Sequence, residues 1–202
     1  MKHSDKCIHC GACTSKCSFL QKYGLDLSGL ENRPELAYHC FLCGECHRVC
    51  PVEIDGCRIS LTLRRQILHE AKDRMLLKDY RIMVLEKKNY LFRNYRHGRH
   101  ASVFFPGCNF PSLFPGNTKN MIALLQKTAD IGTVFDCCGK PIAELGMEKE
   151  EKLIIDRMEK SFQRLGIKEI ITACPNCYFY LKPRLSVHIL SIYEKLSQLS
   201  LG

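Results

Sequence analysis

Apolar positions follow two different patterns along this chain. In the second half, short β-branched and aromatic runs recur, each closed by a turn signal: "ASVFFPGC" (101–108), "IGTVFDCCGKP" (131–141), "IKEIITACPNC" (167–177) and a weaker "SVHIL" (186–190). Such runs predict strands. Between them the spacing turns helical. Asn117 or Thr118 caps a segment holding Met121, Ile122, Leu124 and Leu125, and Ile154, Ile155, Met158, Phe162 and Leu165 share a face that stops at Gly166. Strand alternating with helix predicts a parallel sheet. The first half has no alternating strand pattern. "SFLQKYG" and "PELAYH" read as short helical pieces, and Leu63, Ile67, Ala71 and Met75 line one face of a longer helix. The expected fold class is α+β overall. It has an all-α domain over 1–60, a basic helical connector over 61–98 and an α/β domain with a small parallel sheet over 99–202, the last boundary falling near Gly98.

Cysteine changes this picture. The chain has 202 residues and 14 cysteines. Its start, "MKHSDKCIHC", is polar and shows no secretory signal. No stretch approaches the roughly 20 apolar residues of a spanning helix. The expected compartment is the cytoplasm, where so many thiols serve metal or redox work rather than disulfides.

The first half carries an internal repeat. "CIHCGACTSKC" places Cys7, Cys10, Cys13 and Cys17 at C-x2-C-x2-C-x3-C, and "CFLCGECHRVCP" repeats the spacing at Cys40, Cys43, Cys46 and Cys50. This is the dicluster ferredoxin signature of two cubane [4Fe–4S] clusters. Three cysteines of each copy wrap one cube, and the fourth ligates the other. Cluster A is expected on Cys7, Cys10, Cys13 and Cys50, and cluster B on Cys40, Cys43, Cys46 and Cys17. Gly11 and Gly44 suit the tight turns. Zinc sites use two C-x2-C pairs per ion, which is not this pattern. Ser18 stands where the signature has proline, while Pro51 is present in the second copy. His9, His39 and His47 lie between ligands and read as packing or hydrogen-bonding groups; Cys57 reads as a spare buried thiol.

In the second half every cysteine follows a predicted strand. Function in an open parallel sheet gathers beyond the carboxyl ends of its strands. Three strand ends therefore deliver Cys108, the pair Cys137 and Cys138, and the pair Cys174 and Cys177 to one crevice. Five thiols are one too many for an ordinary cubane, and adjacent cysteines diverge. An opened iron–sulfur cluster fits; so does a cubane with one spare thiol, and a zinc site on Cys174 and Cys177 is a minor alternative. Pro141 suits the first turn of the next helix, and Gly139, Lys140 and Pro141 line the approach, with Lys140 placed to hold an anionic substrate.

The motif "FFPGC…DCCGKP…TACPNC" resembles the cysteine-rich CCG domain of the heterodisulfide-reductase family. That family includes iron–sulfur subunits of glycolate oxidase, lactate-utilisation and anaerobic glycerol-3-phosphate dehydrogenase systems. The ferredoxin half resembles the C subunit of heterodisulfide reductase or the N-terminal part of its fused D-type subunit. The resemblance implies that Cys108, Cys137, Cys138, Cys174 and Cys177 ligate a noncubane [4Fe–4S] cluster, with Cys137 and Cys138 catalytic. In that family such clusters cleave a disulfide by successive one-electron steps. Family members usually carry two CCG domains in tandem, whereas this chain has one, with a short spacer from Cys108 to Cys137. A second copy would come from another CCG-domain subunit or a homodimer.

The formal net charge of +9 suggests nucleic acid at first sight. Thirteen thiolates on three cores of roughly +2 each contribute about −7, which leaves a net near +2. The basic residues are scattered and no nucleic-acid module is visible, so a nucleic-acid partner is not expected. The Lys- and Arg-rich stretch 58–100 reads mostly as a solvated helix face, with partner contact at its "NYLFRNYRHGRH" end. The expected role is an iron–sulfur redox subunit fed by a flavoprotein or another redox subunit. The alternative is a non-catalytic electron-transfer adaptor of a flavin-dependent dehydrogenase.

Overall fold

The structure is a computed structural model that describes residues 4–70 and 78–201. Two compact units are present: Met1–Asp79 with Ala143–Glu148, and Tyr80–Ile142 with Lys149–Gly202.

The first unit is helical, with α1 (Ala12–Lys16), α2 (Ser18–Tyr23), α3 (Leu27–Glu31), a 3-10 turn (Pro34–His39), α4 (Glu45–Arg48) and α5 (Gly56–Glu70). The helices are short because cysteine loops keep interrupting them. Leu20, Leu27, Leu30, Leu36, Ala37, Ile54, Ile59 and Leu63 form the core, and Cys13 and Cys46 are buried within it. Each fully buried Leu or Ile stabilises by roughly 1.5–3 kcal/mol, and a core this small needs further support. On the face expected of α5, Leu63 is buried and Ile67 packs against the core; Ala71 and Met75 lie outside the described residues. Arg64, from the same helix, is buried. Its guanidinium donates to the carbonyls of Ala37 (3.1 Å), Cys40 (2.5 Å) and Glu144. Tyr38 donates to the Leu145 carbonyl at 3.0 Å.

The second unit is built on a five-stranded sheet of order β1-β3-β2-β4-β5. Its strands are β1 (Asn94–His97), β2 (Ser102–Phe105), β3 (Ile131–Phe135), β4 (Glu169–Thr172) and β5 (His188–Ser191). The four strands read from the sequence are all present and mutually parallel. The sheet is mixed rather than purely parallel, because β1 joins β3 antiparallel at the edge. Tyr95 anchors β1 through a 2.7 Å bond from its hydroxyl to Asp136. Within the described parts of 61–98, α5 packs in the first unit and β1 belongs to the sheet of the second.

The helices of this unit are α6 (Arg81–Lys88), α7 (Asn109–Leu113), α8 (Pro115–Thr128), α9 (Lys140–Glu144), α10 (Glu148–Leu165), α11 (Pro175–Leu181) and α12 (Ile192–Gln198). The termini of α9 and α10 reach into residues 143–148. Phe104 and Ile171 pack with Leu125 of α8 and Ile192 of α12. Alternation along β2 sends Val103 and Phe105 to the opposite face, and all three β2 side chains are fully buried. Helix α8 begins at Pro115, ahead of the expected cap at Asn117 or Thr118, because proline is pre-set for a first turn. Helix α10 buries Ile154, Met158 and Phe162 and ends before Gly166, as its apolar stripe predicts.

Candidate functional site

The two cysteine repeats adopt one backbone shape. His9 and Gly11 have φ of 54° and 73°, and their counterparts Leu42 and Gly44 have 56° and 80°. Left-handed residues in such loops turn successive N–H groups toward one concavity, an arrangement that suits anionic sulfur clusters. Glycine takes this shape freely, but His9 and Leu42 do so at about 1–3 kcal/mol each. The helices α1 and α4 start directly after Gly11 and Gly44, which carries Cys13 and Cys46 into the core.

Cys7, Cys10, Cys13 and Cys50 line one recess. Three come from the first repeat and the fourth from the second, the crossing that the spacing predicts. The other set is also assembled. Burial, followed by the neighbouring Cys57, Cys40 and Cys17 thiols, pushes the Cys46 thiol up to about 12. Two loop N–H groups already point at sulfur: Leu42 donates to Cys40 Sγ at 3.4 Å and Ile54 to Cys50 Sγ at 3.3 Å. The serine after Cys17 opens α2 without disturbing that cysteine.

Cys57 is half-buried rather than buried. It interacts with Cys40 and Cys43 and is pushed up to about 11 by burial and then by Asp55. Sequence reasoning set it aside because it falls outside both repeats. Of the three histidines, His9 pairs with Asp26 at 2.7 Å, His39 meets the Tyr23 hydroxyl at 3.1 Å, and His47 is exposed. Asp26 also caps α3, and although burial opposes it, bonds from the Gly29 N–H and His9 hold its carboxyl below the usual range.

In the second unit the three strand ends converge as expected. The five thiols form a continuous chain of interactions: Cys108 with Cys137, Cys137 with Cys138, Cys138 with Cys177, and Cys177 with Cys174. Cys108, Cys137, Cys138 and Cys177 are buried and Cys174 is partly exposed. Gly107 makes the approach feasible, since a Cβ there would lie 3.0 Å from Cys177 Sγ and 3.6 Å from Cys174 Cβ.

Proton affinity is uneven along this chain of sulfurs. Hydrogen bonds from Cys137 and Cys177 hold Cys138 well below the usual thiol range. The Cys177 thiol, with the N–H groups of Cys177 and Asn176 at the start of α11, brings Cys174 down to about 6 against burial. Cys137 is pulled down by Cys108, but its bond to Cys138 and burial outweigh this and push it up to about 12. Donation to Cys137 and burial raise Cys108, and donation to Cys138 and Cys174 raises Cys177. Below the pair, the buried Asp136 accepts from the Cys137 N–H (2.8 Å) and the Tyr95 hydroxyl (2.7 Å), with Arg157 3.7 Å away.

The backbone N–H of Lys140 bonds Cys138, and its charge helps hold Cys174 down. Sequence reasoning missed Lys87 and Tyr90. Tyr90 packs in a buried cluster with Cys108 and Cys137, and the Lys87 ammonium interacts with Cys108. In sequence they are one lysine and one tyrosine in a long basic stretch, and nothing there singles them out.

Soft, clustered thiols with inward N–H donors suit iron–sulfur clusters in both units. Residues 3–54 match the family model of the 4Fe-4S dicluster domain, and residues 102–182 match that of the cysteine-rich domain, CCG. With the geometry above, these matches support an iron–sulfur electron-transfer role. More particularly, the chain joins one dicluster ferredoxin domain to one CCG domain. Comparison with curated proteins gives no match, and neither does comparison with solved structures. Among the described residues no helix is long and apolar enough to cross a membrane.

Proposed function

We propose that the chain is a cytoplasmic, heterodisulfide-reductase-like redox subunit. It receives single electrons from a flavoprotein or another redox subunit. Cys7, Cys10, Cys13 and Cys50 would hold one [4Fe–4S] cubane and Cys40, Cys43, Cys46 and Cys17 another, for one-electron relay. Cys108, Cys137, Cys138, Cys174 and Cys177 would hold a third, noncubane [4Fe–4S] cluster, which would supply one-electron chemistry for the reduction of a disulfide-type substrate. The observation that carries this reading is the unbroken chain of five thiols across three strand ends. A cubane takes four cysteines, and a fifth in the same chain favours an opened cluster.

The residues have distinct tasks in this account. Cys137 and Cys138 divide one strand end between two neighbours, Cys108 and Cys177. Asp136 fixes the backbone of the pair from below. Exposed Ile8 and Phe41, beside the exposed Cys10 and Cys43, support contact with an electron-transfer partner at the repeat loops. Reduction of a disulfide takes two electrons and two protons and gives two thiols, and iron–sulfur centres supply the electrons one at a time.

A second reading is favoured by the single CCG match, where tandem domains are usual: the chain is an adaptor that passes electrons on, and the chemistry takes place in another subunit. Electron paramagnetic resonance of the anaerobically reconstituted full chain separates the two. Addition of a small disulfide after reduction is expected to change the signal of the second unit's cluster, and the change is expected to vanish in Cys138→Ala while the ferredoxin signals remain. A signal indifferent to disulfide supports the adaptor.

A further inference from the structure

Five thiolates on a [4Fe–4S] core sum to about −3, one negative charge more than a cubane with four cysteines. A charge of that size away from water calls for a counter-charge nearby. Helix α6 supplies one. Lys87 lies upstream of residues 102–182, the part that matches the CCG model, so the motif itself does not specify it.

The flanking lysine takes an ordinary place: Lys88 reaches Glu150 at 3.3 Å. Lys87 instead turns inward, its side chain 11% exposed. Its ammonium holds the Glu86 carboxylate at 2.7 Å, interacts with the Cys108 thiol, and lies 5.7 Å from the Tyr90 ring centroid. Tyr90 is 5% exposed and packs on Cys108 and Cys137. Among the described residues, Arg157 faces Asp136 at 3.7 Å, Lys140 acts on Cys174 at the partly exposed end of the chain, and Lys87 acts at the buried, Cys108 end. Burying a flexible, strongly hydrated ammonium is costly, and a single carboxylate on the α6 surface offsets only part of that cost. A multiply charged sulfur centre at Cys108 would offset the rest.

We propose that Lys87 is a positioning residue for the second unit's cluster, whose buried ammonium balances the fifth thiolate and raises the cluster's reduction potential. The inference rests on the reading that the five thiols hold a cluster. Uptake of one electron adds one negative charge, so a fixed cation beside Cys108 favours the reduced form.

The test is a dithionite titration of the reconstituted full chain, followed by electron paramagnetic resonance, for wild type, Lys87→Met and Lys87→Arg. Lys87→Met is expected to lower the reduced-to-oxidised ratio of the second unit's cluster at least tenfold at fixed potential, about 59 mV for a one-electron couple. Lys87→Arg is expected to stay within threefold of wild type, and the ferredoxin signals are expected not to move. An unchanged ratio in Lys87→Met overturns the proposal. Should Lys87→Met lose the cluster altogether, Lys87→Arg decides. Full iron with a wild-type ratio supports the charge role, whereas a folded Lys87→Arg lacking the cluster or shifted like Lys87→Met overturns it. Failure of the underlying reading looks different, because wild type itself would then lack the third set of iron.

Discussion

Cys137 and Cys138 are adjacent in sequence but belong to different pairs: one meets Cys108 and the other meets Cys177. Successive side chains on extended backbone point apart, and here that divergence sends one thiol toward Cys108 and the other toward Cys177. The same chain of sulfurs sets the chemistry of Cys174, lowered to about 6 from a usual 9.0. In the metal-free full chain at pH 7, iodoacetamide is therefore expected to modify Cys174 first among the five, with a rate that levels off above about 6. Buried Cys137, pushed up to about 12, is expected to stay unmodified at neutral pH. Peptide mass spectrometry reads this out, and five thiols reacting alike with a midpoint near 9 would contradict it. The sign carries over to stability. Cys174 favours the folded metal-free state fully above its unfolded value of 9.0, and that contribution is lost as pH falls through about 6. At this scale the sequence made the thirteen proposed ligand thiols legible, because spacing and strand ends mark them. It did not reveal Lys87, because a basic stretch reads as a solvated face and composition says nothing about which lysine turns inward.

Among the elements, the repeat was legible down to its backbone. Two copies of C-x2-C-G-x-C gave two loops with matching left-handed positions and two helices starting after the glycine. The four parallel strands were legible because each is a short β-branched run. Strand β1 was not: Asn94–His97 is polar, its outer residues are exposed, and it is held by Tyr95 reaching Asp136, a contact 41 residues away in sequence. The start of α5 supplies a sharp test. A Cβ at Gly56 would sit 2.5 Å from Cys46 Sγ and 2.7 Å from Leu27 Cδ2. Gly56→Ala is expected to displace Cys46, reduce iron by about four per chain and destabilise by about 1–3 kcal/mol. Gly116→Ala serves as the control, since nothing lies within 4 Å of its Cβ position. Iron assay and thermal unfolding check both variants. A Gly56→Ala protein with full iron and an unchanged melting temperature would contradict the packing described for the second repeat.

For the whole molecule, charge and cysteine count belong to one balance. A formal +9 would be unusual excess for a chain with no visible nucleic-acid module, but the thirteen thiolates of the proposed clusters would absorb most of it. On this account the metal-free protein is markedly more basic than the loaded one. Whether a third cluster exists decides between a plain dicluster ferredoxin with a cysteine-rich attachment and a redox subunit with a terminal site of its own. The most direct measurement is iron, sulfide and zinc per chain in anaerobically reconstituted wild type and Cys138→Ala. The account predicts about twelve irons in wild type and about eight in the variant, with matching sulfide and no zinc. About eight irons in both proteins, or zinc bound by the second unit, would contradict it.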